Sequence, residues 1–123
     1  MPKNKYTCNC GTIHAALVEH LTEKLPDDAT IHRMAEFYKI LGDSTRCRII
    51  FALLEHEVCV CDIANILCMT KSSISHQLSK MKDSGIVKCR REGKTIYYSL
   101  DDRHIADIFT TTITHIMHTE AAK

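Results

Sequence analysis

The chain has 123 residues, 45% of them hydrophobic, and carries a formal net charge of +1 at neutral pH. Its length predicts one globular domain, and its charge excludes a polycationic chain. Because it has no long apolar run and its N-terminus lacks the apolar segment of a signal peptide, we expect a cytoplasmic protein without a membrane span. The seven cysteines, an odd number, then favour reduced thiols over structural disulfides.

Residues 1–11 are polar and contain two cysteines, Cys8 and Cys10. Short polar termini are poorly ordered unless another element holds them. We therefore predict a mobile N-terminal arm over 1–11, followed by one folded domain over 12–120.

Three helices are predicted in the first half of this domain, from apolar residues that recur at helical spacing. The first begins near Thr12 and is interrupted by Pro26-Asp27-Asp28. The second fits 31–41, and the third is predicted to begin with Ser44 as its N-cap. Amphipathic helices in a row predict a mainly helical fold for this part of the chain.

Residues 63–85 have the pattern of two short helices joined by a tight turn. Ile63 and Leu67 lie on one apolar face of the first helix. Thr70 suits the N-cap of the second helix, and Gly85 follows it where a left-handed C-cap residue belongs. The core face of the second helix repeats at spacings of four and three residues, at Ile74, Leu78 and Met81.

The opposite face of the second helix is rich in small hydrogen-bonding side chains and poor in carboxylates. It carries Ser72, Ser73, Ser75, His76, Gln77, Ser79 and Lys80. Such a face suits a helix in the major groove of DNA, where base edges and phosphates offer donors and acceptors. The alternative interpretation is an ordinary solvated helix face.

Basic residues are concentrated over 71–98, although the whole chain is nearly neutral. This segment has a local net charge of +5, because seven basic residues are opposed only by Asp83 and Glu92. The basic residues are Lys71, Lys80, Lys82, Lys88, Arg90, Arg91 and Lys94. A basic patch on a near-neutral chain is typical of a specific DNA-binding domain.

The pattern changes from helical to alternating after the second short helix. Alternation over 87–91 and 96–100, with Glu92-Gly93 between them, predicts a β-hairpin. A hairpin after a helix-turn-helix predicts a winged helix-turn-helix, a mainly α fold with a β-hairpin wing. The basic residues of the wing, which we expect to contact the DNA backbone, are Arg90, Arg91 and Lys94.

Two thiols, Cys59 and Cys61, lie at the start of the first short helix. Thiolates bind soft metal ions, and accessible thiols can also oxidise reversibly. This pair therefore predicts a metal or redox input beside the DNA-binding helices.

Candidate metal ligands lie at both ends of a final helix, predicted over about 102–120. Asp102 and His104 are at its start, and His115 and His118 share one face near its end. His104 and His115 are eleven residues apart, about 16 Å at ~1.5 Å rise per residue. Two nitrogens on one zinc ion lie only roughly 3.4 Å apart. One straight helix cannot bring these four residues, the histidine site, onto one ion, but two antiparallel copies can.

An apolar stripe on the final helix gives two copies a reason to pack. It consists of Ile105, Ile108, Phe109, Thr112, Ile113 and Ile116. The spacing therefore predicts a symmetric homodimer with two equivalent interfacial sites. Three imidazoles and one carboxylate suit zinc or cobalt. The alternative is that these are surface histidines on a helix that pairs only through its stripe.

Several motifs spread over roughly 31–120 have the spacing of a known family. They are Leu41-Gly-Asp-Ser-Thr-Arg-Cys-Arg-Ile49, Glu57-Val-Cys-Val-Cys-Asp-Ile63, Ser75-His-Gln-Leu78, Arg91-Glu-Gly-Lys-Thr-Ile-Tyr-Tyr98, and Asp102-x-His104 with His115-x-x-His118. With them, the sequence resembles the ArsR/SmtB family of metal-sensing bacterial repressors. The cysteines of the N-terminal extension make it most similar to the cadmium- and lead-responsive CadC type.

The resemblance implies a homodimeric winged-helix repressor packed through its N- and C-terminal helices. Such a repressor binds a palindromic operator when metal-free and releases it when metal binds, and it controls metal efflux or resistance genes. The resemblance also implies that the histidine site holds Zn(II).

The resemblance further implies a thiolate site between subunits, formed by Cys8 and Cys10 of one chain and Cys59 and Cys61 of the other. Thiolates select soft ions, here Cd(II), Pb(II) or Zn(II) as inducer. Because the spacing of Cys8 and Cys10 is tighter than in the CadC-like pattern, a site with three thiolates is an alternative.

Two other functions have to be weighed. An arsenite-, antimonite- or redox-sensing repressor would use the same pair, Cys59 and Cys61. A zinc hydrolase at the histidine site is disfavoured, because four protein ligands leave no position for water. The remaining cysteines, which we expect to be structural, are Cys47, Cys68 and Cys89.

Overall fold

The computed structural model describes residues 14–121. The candidate ligands Cys8 and Cys10, and the expected start of the first helix near Thr12, lie outside the described residues. Within residues 14–121, no helix has the length and apolarity that crossing a membrane requires. In chain order the elements are α1 (Ala15–Lys24), α2 (Asp28–Leu41), α3 (Ser44–Ala52), β1 (Val58–Cys59), α4 (Val60–Leu67), α5 (Lys71–Asp83), β2 (Val87–Glu92), β3 (Thr95–Leu100) and α6 (Arg103–Ala121).

The chain divides into two compact units, one up to Met34 and one from Ala35. In the first unit, α2 begins at Asp28, three residues before the predicted start. The reason is Asp27, whose Oδ1 accepts the backbone N–H of Thr30 at 2.9 Å and so caps the helix. Hydrogen bonds from Thr30 also lower the pKa of Asp27. The large apolar side chains of α1 and its C-cap are each at least half exposed: Leu17, Val18, Leu21 and the C-cap residue Leu25.

The core of the second unit lies where α3, α4, α5 and β2 meet. Its fully buried side chains are Ile49, Ile50, Ile63, Ile74, Leu78, Met81, Ile86 and Val87. The helical spacing predicted for the two short helices is confirmed, because their apolar positions are the ones that pack inward. Each such side chain contributes about 1.5–3 kcal/mol relative to an exposed position, so this core fixes α5 against the other helices.

The N-cap of α3 differs from the prediction. Asp43, rather than Ser44, holds this position with an extended backbone, and its carboxylate accepts the backbone N–H of Arg46 at 3.0 Å. Asp and Ser are about equally good N-caps, so residue type alone does not separate two neighbouring candidates. Ser44 is instead the first residue of the helix.

The turn between α4 and α5 is made as the sequence predicts. Cys68 ends α4 in the left-handed region (φ 55°), and Thr70 caps α5 by accepting the backbone N–H of Ser73 at 3.1 Å. Gly85 follows α5 with φ 74°, where a side chain would be strained. These features confirm the helix-turn-helix.

The three strands form one antiparallel sheet in the order β1-β3-β2. The predicted hairpin is confirmed as β2 and β3, with Gly93 (φ 63°) in its turn. Strand β1 was not predicted, because two residues show no alternation. It pairs Val58 with Tyr98 and Cys59 with Tyr97, so it ties the start of α4 to the hairpin. The fold is a winged helix-turn-helix with this hairpin as the wing.

Candidate DNA interface and metal ligands

The polar face of α5 lies at the surface. Its exposed side chains are Ser72, Ser75, His76, Ser79 and Lys80, and its half-buried ones are Ser73 and Gln77. Lys80 and Lys82 lie in the last turn, where positive charge is favourable beside the helix C-terminus. This surface has the donors and acceptors to meet base edges and phosphates, and the individual contacts with DNA stay predictions.

Gln77 takes part in a contact within the chain. Its side-chain oxygen accepts a hydrogen bond from Nε of Arg46 at 3.0 Å, and Nη1 of Arg46 donates to the carbonyl oxygen of Ile40 at 3.4 Å. The hydrogen bond from Arg46 does not involve the amide N–H groups of Gln77, which can serve its predicted contact with DNA. The contact between Arg46 and Gln77 could not be predicted from local sequence patterns, because the two residues are 31 positions apart.

Arg90 lies on the wing, and its guanidinium donates hydrogen bonds to the carboxylates of Glu57 and Glu92. Its Nε donates to the two oxygens of Glu57 at 3.0 and 2.9 Å, Nη2 also donates to Glu57, and Nη1 donates to Glu92 at 2.9 Å. Glu57 lies 33 residues from Arg90 in the sequence, so the local charge count missed it. The predicted contact between Arg90 and DNA would compete with these carboxylates. Arg91 and Lys94 are exposed and stay predicted backbone contacts.

The ion pair between Arg90 and Glu57 lies at the surface and contributes little to stability. Hydrogen bonds from Arg90 lower the pKa of Glu57, and hydrogen bonds to Glu57 and Glu92 raise the pKa of Arg90. The side chains of Arg90 and Glu57 are 50% and 39% exposed, so water screens their attraction. The guanidinium carbon also lies 4.7 Å from the centre of the Tyr97 ring, within the range of a cation–π contact.

Cys59 and Cys61 lie together at the N-terminus of α4. Cys59 is the half-buried N-cap residue, with extended backbone and no capping hydrogen bond from its thiol, and Cys61 is exposed in the first turn. Two soft sulfur donors fit Cd(II), Pb(II) or Zn(II). Residues 14–121 of one chain bring no three His, Cys, Asp or Glu side chains together around a metal-sized space. The other ligands of a thiolate site would have to come from the arm or a second chain.

The histidine site is divided between the two ends of α6. Asp102 precedes the helix, and its Oδ1 accepts the backbone N–H of His104 at 2.8 Å and lies 3.2 Å from Nδ1 of His104. The hydrogen bond with the side chain of His104 is the main cause that lowers the pKa of Asp102. His115 and His118 are exposed near the other end. One chain does not join the two pairs, and three imidazoles with a carboxylate suit zinc.

The other cysteines among residues 14–121 differ in exposure. Cys47 is half-buried, its thiol donates to the carbonyl oxygen of Leu41 at 3.2 Å, and burial raises its pKa. Cys89 is half-buried in β2. Cys68 is exposed at the left-handed C-cap of α4. The five described cysteines are free thiols.

Taken together, the helix-turn-helix, its solvent-facing polar helix and the adjoining wing define a winged-helix DNA-binding domain. Residues 43–88 match the family described as bacterial regulatory protein, arsR family. A cadmium resistance transcriptional regulatory protein CadC homolog from Staphylococcus aureus is 38% identical over 112 residues, which cover 90% of this chain and 92% of the relative. A transcriptional repressor SmtB homolog from Synechocystis sp. is 32% identical over 113 residues, which cover 92% and 86%.

Solved structures agree with this assignment. A homodimeric winged helix-turn-helix DNA-binding domain from Mycobacterium bovis is 28% identical, with a TM-score of 0.69 over 78% of this chain and 93% of that one. The AntR antimony-specific transcriptional repressor is 26% identical, with a TM-score of 0.72 over 79% and 88%. The chain belongs to the arsR family of bacterial regulatory proteins and is a transcriptional regulator rather than an enzyme.

Proposed function

We propose that this chain is a homodimeric, metal-responsive repressor that binds operator DNA when metal-free and releases it when Cd(II), Pb(II) or Zn(II) binds. The genes it controls would encode metal efflux or resistance proteins. Because bacterial operators lie in the cytoplasm, this activity places the chain there. The cadmium resistance regulator and the SmtB homolog named above support a metal ion as the signal.

The observation that carries the proposal is the position of the two thiols. Cys59 caps α4, the first helix of the helix-turn-helix, and pairs through β1 with Tyr97 of the wing. A ligand bond at Cys59 therefore acts on a residue that belongs to both DNA-binding elements.

A second copy of the chain is needed to complete the ligand sets. In the C-terminal half of α6, the apolar side chains Ile113, Ile116 and Met117 are 39%, 46% and 58% exposed. Two such helices packed antiparallel would bury these side chains and bring Asp102 and His104 of one chain to His115 and His118 of the other. The homodimeric neighbour from Mycobacterium bovis supports this assembly.

The two kinds of site take different ions on chemical grounds. The arm over 1–11 would supply Cys8 and Cys10 to Cys59 and Cys61 of the partner chain, which makes a site for Cd(II) or Pb(II) with three or four thiolates. The histidine site would hold Zn(II), with its four protein ligands closing a tetrahedral shell. The remaining residues, 12–120, form the DNA-binding and dimerisation domain of the proposal.

The free energy required for regulation is modest. A hundredfold loss of operator affinity corresponds to about 2.7 kcal/mol of coupling between metal and DNA. The metal has only to favour one arrangement of the two winged helices over another by this amount.

The proposal is tested by titrating metal into a protein–DNA complex. A fluorescein-labelled duplex, selected from random-sequence DNA by the metal-free protein, serves as the operator, and fluorescence anisotropy reports its Kd. Cd(II), Pb(II) or Zn(II) should raise this Kd at least hundredfold. If none of the three ions weakens binding, the sensing function is wrong.

Two pairs of substitutions identify the regulatory site. Cys59→Ser with Cys61→Ser removes the described thiols, and His104→Ala with His115→Ala removes one ligand from each end of α6. Loss of the response in the cysteine variant alone assigns regulation to the thiolate site. Loss in the histidine variant alone assigns it to α6.

A second candidate, an arsenite-, antimonite- or redox-sensing repressor, is favoured by one observation. Only Cys59 and Cys61, among residues 14–121, lie beside the helix-turn-helix as a closely spaced pair, and the structurally similar AntR is antimony-specific. Cys8→Ser with Cys10→Ser separates the two candidates. Loss of Cd(II) affinity supports the site shared with the arm, whereas a retained response to arsenite supports the alternative.

A further inference from the structure

One row of side chains crosses all three strands of the sheet at the start of α4. Cys59 on β1, Tyr97 on β3 and Arg90 on β2 are direct cross-strand partners. Side chains that lie directly opposite one another in antiparallel strands project from the same face of the sheet. This face points away from the core, because Val58 and Tyr98 of the adjacent row pack against the core.

The side chain of Arg90 spans this row. Its guanidinium carbon lies 4.7 Å from the centre of the Tyr97 ring, and its Nε and Nη2 engage Glu57 across that ring. Glu57 directly precedes β1 and lies two residues before Cys59. The segment that carries Cys59 is therefore joined to the wing twice, by strand pairing with β3 and by an ion pair with β2.

We propose that Glu57 and Arg90 are a positioning pair, which transmits a change at Cys59 to the wing and sets the angle of the wing against DNA. The inference rests on the proposed function, since it assigns the route from the thiolate site to the DNA-binding surface. Arg90 is then not a phosphate contact, in contrast to the role predicted from the sequence. Every nitrogen of its guanidinium already donates to a carboxylate, and the negative charges of Glu57 and Glu92 would repel a phosphate that approached the remaining N–H groups.

The test measures salt dependence and metal response in the same variants. Kd for the selected duplex is determined by anisotropy at several NaCl concentrations, with and without Cd(II), for wild type, Glu57→Gln and Arg90→Gln. Arg91→Gln is the matched control, because Arg91 is exposed on the same strand. The absorbance of the Cd(II)–thiolate charge-transfer band reports Cd(II) affinity in each variant.

For a positioning pair, Glu57→Gln and Arg90→Gln each reduce the Cd(II)-induced loss of affinity from at least a hundredfold to less than tenfold. Cd(II) affinity and the slope of log K against log [salt] stay at the wild-type values. The charge-exchanged double variant Glu57→Arg with Arg90→Glu restores the response. Arg91→Gln keeps the Cd(II) response and makes the negative salt slope shallower by about 0.9, the value for one lost phosphate contact.

Two results overturn the inference, and they are distinguishable. If wild type and both variants respond equally to Cd(II), the pair does not transmit the signal. If Arg90→Gln keeps the response and makes the negative salt slope shallower by about 0.9, Arg90 is a DNA contact. In either case only this inference fails. If the wild-type complex ignores Cd(II), the proposed function fails as well.

Discussion

The side-chain oxygen of Gln77, in the middle of α5, accepts a hydrogen bond from Nε of Arg46 on α3 at 3.0 Å. The same arginine donates from Nη1 to the carbonyl oxygen of Ile40 near the end of α2. The guanidinium of Arg46 thus joins α5 to α3 and to the end of α2. This contact, together with the core, fixes α5 against the rest of the second unit.

Replacing either partner of this contact should destabilise the fold. Arg46→Ala leaves the half-buried oxygen of Gln77 without its donor, and Gln77→Ala leaves the guanidinium without its acceptor. Hydrogen bonds to a charged group contribute about 1.5–3 kcal/mol, so we expect each change to lower the free energy of unfolding by roughly this amount, measured by urea denaturation. The double variant should lose less than the sum of the single losses.

The control for this cycle is Ser75→Ala, which removes an exposed hydroxyl from the same helix and should change stability by less than about 0.5 kcal/mol. Strictly additive losses for the Arg46 and Gln77 variants would show that the two side chains do not interact in solution.

Lysines on α5 and on the wing should differ from lysines elsewhere in their effect on salt dependence. Lys80→Gln and Lys94→Gln each remove one exposed charge from the predicted DNA surface. Each should make the negative slope of log K against log [salt] shallower by about 0.9, measured with the selected duplex. Lys39→Gln, an exposed position near the end of α2, should leave the slope unchanged. An equal effect of all three would mean that general charge rather than a docked surface governs binding.

The cysteines should differ in their rates of alkylation. Cys68 is exposed and should react with iodoacetamide at least about tenfold faster than Cys47, whose pKa is raised by burial. Cd(II) should protect Cys59 and Cys61 and leave the rate of Cys68 unchanged, which mass spectrometry of peptides measures site by site. Unprotected Cys59 and Cys61 at saturating Cd(II) would contradict their assignment as ligands.

Gly85 should resist substitution because of its backbone conformation. Its φ of 74° lies in the left-handed region, and an added Cβ would meet no neighbour within 4 Å, so strain is the only cost. Gly85→Ala should therefore lower the free energy of unfolding by about 1 kcal/mol. Gly42→Ala is the control: its added Cβ would lie 3.4 Å from the carbonyl oxygen of Tyr38 and carries no such strain. Equal losses for both variants would contradict this explanation.

The sequence predicts those parts of the fold that depend on neighbouring residues. The helical period over 63–81 and the alternation over 87–100 predicted the helix-turn-helix and the hairpin, because residues on one face of an element must all pack inward. The N-cap of α3 was assigned one residue late, since Asp43 and Ser44 are equally capable caps. Strand β1 was missed, because a two-residue strand has no period.

The candidate site is less predictable, since it depends on contacts between distant residues. The local charge pattern did not indicate that Arg90 pairs with Glu57, because the two residues are 33 positions apart. The hydrogen bond between Arg46 and Gln77 likewise joins residues 31 positions apart, beyond the reach of a local pattern. The division of the histidine site was predictable, because a helix has a fixed rise per residue.

Complementation between two defective chains tests the central claim most directly: partner chains complete each other's metal site, and its occupation releases DNA. Chains with Cys8→Ser and Cys10→Ser are mixed with chains with Cys59→Ser and Cys61→Ser, so that each mixed dimer holds one complete thiolate site. Our account predicts that neither parent responds, whereas mixed dimers regain the Cd(II)–thiolate absorbance band and release the selected duplex when Cd(II) is added. Mixed dimers that neither bind Cd(II) nor release the duplex would contradict it.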